Sequence, residues 1–231
     1  RSNSIGNNNT AVGYQSLFSN VSGSNNSAFG MYTMKNNTSG IRNVAFGYGS
    51  LFSNLVGANN TAVGYRSLQY NTTGYSNTAL GSSALRNNTT GTNNVSVGVS
   101  ALCANTTGRS NVAVGQQSLQ QNTTGICNTA LGALSLRNNT TGINNTALGR
   151  ASLYANTGGS NNTALGYNAL VANTASNNVA VGKETLAGNT TGTLNTAVGT
   201  QSLFSNSAGN NNTALGYQSL FANTASNNTA V

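Results

Sequence analysis

Asn60-Thr61-Ala62-Val63-Gly64-Tyr65-Arg66-Ser67-Leu68-Gln69-Tyr70-Asn71-Thr72-Thr73-Gly74-Tyr75-Ser76 is one unit of a pattern that fills the whole 231-residue chain. Gly64 has counterparts at Gly13, Gly30, Gly47, Gly81, Gly98, Gly115, Gly132, Gly149, Gly166, Gly182, Gly199 and Gly216. The interval is 17 residues throughout, except for one of 16 between Gly166 and Gly182. Counted from this glycine, position −4 is Asn in every unit (Asn9, Asn26, Asn43, Asn60, Asn77 and onward). Position +7 is Asn as well (Asn20, Asn37, Asn54, Asn71, Asn88 and onward). Position +4 is Leu except for Met34, and −2 is Ala except for Ser96. A strict short period of this kind means one structural unit stacked many times.

Composition alone would place the chain among disordered polar segments, since only 37% of it is hydrophobic and Trp and Pro are absent. Disorder does not require the same Leu and Ala at a fixed interval, so the periodicity decides. Helix is disfavoured by the β-branched residues, Gly and Asn in every unit and by the lack of a 3.6-residue stripe. Two short segments per unit have strand character, such as Thr10 to Val12 and Ser16 to Phe18. The expectation is an all-β parallel β-solenoid with one 17-residue repeat per coil and about thirteen coils. The array runs over residues 1–231 as a single domain that starts and ends in mid-repeat, as a fragment of a longer solenoid would.

Alternation within the first segment puts −3 (Thr, Val or Ser) and −1 (Leu, Val or Phe) on one face, expected to point inward with the Leu at +4. The Ala between them is then expected outward, kept small either by contact with a second surface or by crowding at a turn. The constant asparagines suit turns, where Asn tolerates left-handed backbone, and in a stack they are expected to form amide ladders. Tyr14, Tyr48, Tyr65, Tyr167 and Tyr217 occupy +1, while Phe18, Phe52, Tyr154, Phe204 and Phe221 occupy +5. Aromatics beside amides suit a glycan-binding face or an interface between chains, and the interface is the favoured reading.

The string Asn-Thr-Ala-Leu-Gly-Tyr, at Asn162 to Tyr167 and Asn212 to Tyr217, resembles the head repeats of trimeric autotransporter adhesins. It is also similar to the repeat arrays that precede a self-cleaving chaperone domain in phage-type tail fibres. The resemblance covers essentially the whole chain. It implies a left-handed β-roll, commonly trimeric, in a surface-exposed fibre that presents or performs adhesion.

Function classes can be excluded by residue type. With one carboxylate, Glu184, no Asp and no His, the chain lacks the material for paired-carboxylate, triad, zinc or calcium chemistry, so no enzyme, cofactor or metal is expected. The net charge of +8 is scattered over columns and not striped along a groove, which argues against nucleic acid. No apolar run is long enough to span a bilayer, so membrane insertion of this segment is not expected. Cys103 and Cys127 fall in different columns, and no disulfide is expected between them. What remains is a structural shaft of an extracellular fibre, on a cell or virion surface, self-associating as a homotrimer or filament and meeting a surface glycan or host receptor. Ice binding is the other class, suggested by the Thr-rich −3 column but set back by Val44, Val95, Val112 and Val179 and by the missing Thr-x-Thr pair. Sequons such as Asn71-Thr72-Thr73 and Asn88-Thr89-Thr90 leave glycan attachment on the loops open.

Overall fold

The computed structural model describes residues 5–231, and these contain no helix. The chain divides into two compact units after Asn111. The first carries β1 (Thr10–Val12), β2 (Ser27–Phe29), β3 (Val44–Phe46), β4 (Thr61–Val63), β5 (Thr78–Leu80) and β6 (Val95–Val97). The second carries β7 (Val112–Val114), β8 (Thr129–Leu131), β9 (Thr146–Leu148), β10 (Thr163–Leu165), β11 (Val179–Val181), β12 (Thr196–Val198), β13 (Thr213–Leu215) and β14 (Thr229–Ala230). Within each unit successive strands pair in parallel without slipping, so that Ala45 lies beside Ala62 and Ala62 beside Ala79. Ala130 likewise lies beside Ala147. The fold is the expected all-β parallel solenoid, with one repeat per coil. Backbone bonds tie the coils: Thr61 N donates to Asn77 O and Gly81 N to Val63 O, each at 2.8 Å.

The faces of the strand are the reverse of the expectation. Ala45, Ala62, Ala79, Ala130 and Ala147 at −2 are completely buried, while Val63 and Leu131 at −1 are 39% and 48% exposed. The reason is volume. Away from the ends of the described residues, each coil already encloses a buried Leu (Met34 in one) at +4 and buried asparagines at −4 and +7, and a methyl is what the strand can add to so narrow an interior. The single exception at −2, Ser96, is also buried, and its hydroxyl donates to Ala101 O at 2.8 Å.

The second segment is not a strand either. Gln15 and Leu17 have φ of 52° and 47°, and positions +2, +4 and −5 are left-handed in coil after coil. Left-handed backbone costs an L-residue about 1–2 kcal/mol, and bonds to neighbouring coils offset it. Leu68 N donates to Ala84 O and Tyr70 N to Arg86 O, both at 3.0 Å, while Arg66 N donates back to Tyr48 O at 2.9 Å. The coils therefore hydrogen-bond along this side without strand geometry. Gly64 is required on two counts: its φ is +132°, and a Cβ there would fall 2.6 Å from Gly81 O.

Candidate interaction face

The asparagine columns are the interior frame. Asn60 Nδ2 donates to Asn43 Oδ1 at 3.1 Å and to Gly74 O at 2.9 Å, and the Asn60 backbone N–H reaches the same Oδ1 at 3.0 Å. From the other column, Asn71 Nδ2 donates to Asn54 Oδ1 at 2.8 Å and to the same Gly74 O at 2.9 Å. One carbonyl per coil thus joins the two ladders. Asn20, Asn26, Asn37, Asn43, Asn54, Asn60, Asn71, Asn77 and Asn88 are buried, and Asn9 is partly so. Their amides are spent inside the coil and present nothing to a ligand.

The shortened turns interrupt one ladder. In Asn173-Thr174-Ala175-Ser176-Asn177-Asn178 the glycine at +10 is missing, and Ala175 O replaces its carbonyl, accepting from Asn162 and Asn173 at 2.8 Å each. Asn173 then fails to reach back, and Asn156 Oδ1 is left buried without a donor. The turn at Asn223 repeats the defect: Asn223 Nδ2 donates to Ala225 O at 3.0 Å, and Asn206 Oδ1 is buried and unpartnered.

Outside, in each unit, the sheet presents −3 and −1. Position −1 is Val, Leu or Phe in every coil, and no charged residue occurs in either column. Val12, Phe46, Val63, Leu80, Leu131 and Leu215 are among its exposed members. The Lys and Arg of the described residues lie outside these two columns, and five of them sit over rings. Lys35 Nζ is 5.2 Å from the Tyr32 centroid and Arg66 4.9 Å from Tyr65. Arg86, Arg137 and Arg150 lie over Tyr70, Tyr154 and Tyr167.

The aromatic residues are brought together only in part. Tyr14, Tyr48 and Tyr65 form one run through Tyr32, with centroids 5.5, 5.9 and 5.5 Å apart, and Phe52 joins Tyr32 at 6.4 Å. Phe204 stacks on Phe221 at 5.1 Å. Phe18, Tyr167 and Tyr217 enter no ring pair among the described residues. Tyr32, at +2, and the stacked pair Phe29 and Phe46, 4.7 Å apart at −1, are members that the column reading missed. Tyr48 on Tyr65, Phe29 on Phe46 and Phe204 on Phe221 are stacked, at 16°, 1° and 4° between planes. Each ring stacked on another has one face fewer for a sugar to cover.

Both thiols are free; burial pushes the Cys103 thiol up, against a smaller opposing pull from Arg86, and Cys127 is exposed. Glu184 accepts from Gln201 Nε2 at 2.9 Å and lies 3.9 Å from Lys183 Nζ. Comparison with protein-family models, with curated proteins and with solved structures finds no match to this chain.

Proposed function

We propose that this chain is the repeat shaft of an extracellular or virion surface fibre, in which copies associate, as a homotrimer or filament, through the outward face of the sheet. Attachment to a host or other surface is the task that such a shaft serves. The observation that carries this reading is the −1 column. The coils are replicates of one position, and an outward site that stays Val, Leu or Phe in all of them is restricted by something other than folding. Strand propensity would admit Thr, as it does at −3. Charge supports the choice of face, because a net +8 repels a second copy everywhere except where the surface is neutral. Three strand residues across and one coil spacing along give a footprint of about 50 Å² per coil. A stable interface needs about 800 Å² per partner, so association should strengthen with coil number and draw in the flanking aromatic columns.

Light scattering tests the reading. A stable oligomer that dissociates in the double variant Val63→Lys and Leu131→Lys, with unchanged circular dichroism, is the expected result; a monomeric parent would refute it. Ice binding is the second reading, and it gains one observation: Thr61, Thr78, Thr129 and Thr146 at −3 lie on the outward face with −1. Thermal hysteresis in a monomeric chain would favour it.

A further inference from the structure

We infer that this chain folds where no asparagine-linked glycan is transferred to nascent polypeptide. The +7 asparagine heads an Asn-x-Ser/Thr sequon in eight coils, Asn37-Thr38-Ser39 and Asn71-Thr72-Thr73 among them, and Asn94-Val95-Ser96 adds one at −4. Asn37, Asn71, Asn88, Asn94 and Asn139 are all fully buried. Both hydrogens of Nδ2 are in use in this column. Asn71 gives one to Asn54 Oδ1 and one to Gly74 O, and Asn88 gives one to Asn71 Oδ1 at 2.8 Å and one to Gly91 O at 3.0 Å.

Glycan transfer replaces one Nδ2 hydrogen with C1 of a sugar, the proton leaving the nitrogen and the lipid diphosphate leaving the sugar. The product has one N–H where the ladder uses two, and it carries a ring into an interior that admits a methyl at −2. Room for a glycan exists at −5, where sequon asparagines such as Asn25, Asn59, Asn144 and Asn161 are exposed, and in part at +6, where the sequon asparagines Asn36, Asn87 and Asn138 are half-buried. Transfer to a nascent chain precedes burial and cannot be confined to those columns. A shaft with buried acceptors in most of its coils is therefore incompatible with synthesis through a glycosylating secretory route. It requires a compartment without the transferase, such as the bacterial cytosol or the interior of a cell assembling virions outside that route. This holds whether or not copies associate.

The test is to express the chain in the secretory pathway of a eukaryotic cell, with and without an inhibitor of lipid-linked donor synthesis, beside material from bacterial cytosol. Glycopeptide mapping, far-ultraviolet circular dichroism and protease resistance are read on all three. The expected result is glycans at +7 with loss of the protease-resistant β form, and recovery of that form in the inhibited cells and the bacterial cytosol. Three results would overturn the inference: a folded chain glycosylated at +7, a folded chain whose +7 sequons were skipped, or a chain still unfolded in the inhibited cells.

Discussion

Replacing Asn88 with Ala removes three bonds from the middle of a ladder: Asn88 Nδ2 to Asn71 Oδ1 at 2.8 Å, Asn88 Nδ2 to Gly91 O at 3.0 Å, and Asn105 Nδ2 to Asn88 Oδ1 at 2.8 Å. Gly91 O keeps its bond from Asn77 at 2.9 Å, so it is not orphaned. Two groups remain at risk, Asn71 Oδ1 and one hydrogen of Asn105 Nδ2, both on fully buried side chains. A buried polar group left without a partner costs about 1–3 kcal/mol, which puts the variant about 2–6 kcal/mol below the parent. The matched control is Thr90→Ala, an exposed +9 position where another coil already has Ala208; surface changes of that kind stay within about 0.5 kcal/mol. Urea titration followed by circular dichroism measures both. The unpartnered Asn156 Oδ1 gives a lower bound on tolerance, since that coil still forms with one acceptor unmet. Equal midpoints for Asn88→Ala and Thr90→Ala would refute the view that the ladder holds the coils together.

An insertion should stabilise: placing Gly between Ala175 and Ser176 recreates the spacing of Asn206-Ser207-Ala208-Gly209, gives Asn156 Oδ1 a donor again, and is expected to raise stability by about 1 kcal/mol in the same titration. Gly74→Ala should cost several times more than Gly49→Ala. A Cβ at Gly74 would fall 2.5 Å from Gly91 O, whereas at Gly49, with φ +62°, the nearest atom is Arg66 Cγ at 3.8 Å, leaving only a backbone cost of about 1–2 kcal/mol. The thiols should differ in rate. Burial holds the Cys103 pKa above its ordinary value, which lowers its thiolate fraction at a given pH, and Cys103 is half-buried while Cys127 is exposed, so alkylation read by mass spectrometry should modify Cys127 first.

The period, the glycine, the asparagine columns and the Leu at +4 were legible because each is a requirement that every coil must meet. Gly64 and its twelve counterparts expose a constraint that a single occurrence would hide. The aromatic run was half legible: Tyr14, Tyr48 and Tyr65 share a column, but Tyr32 reaches the run from +2, and only the turn in three dimensions puts its ring between theirs. The sequons were legible as strings, but whether Asn71 could accept a glycan depended on where its amide points.

By itself, then, the sequence determined that 17 residues make one coil and that Gly, Leu and Asn recur at fixed places in it. The alternation of Thr61, Ala62 and Val63 also fixed that Ala and its neighbours lie on opposite faces. Which face is inside was not in the alternation, because a period of two is symmetric under exchange of faces, and hydropathy favoured the larger side chains. Only the closed coil decided it. Once the Leu68 column and the two amide ladders fill the interior, there is space for the Ala62 methyl and none for Val63. The second side was decided in the same way: Gln15 and Leu17 become left-handed because backbone bonds to the coils on either side repay a conformation that neither residue favours alone.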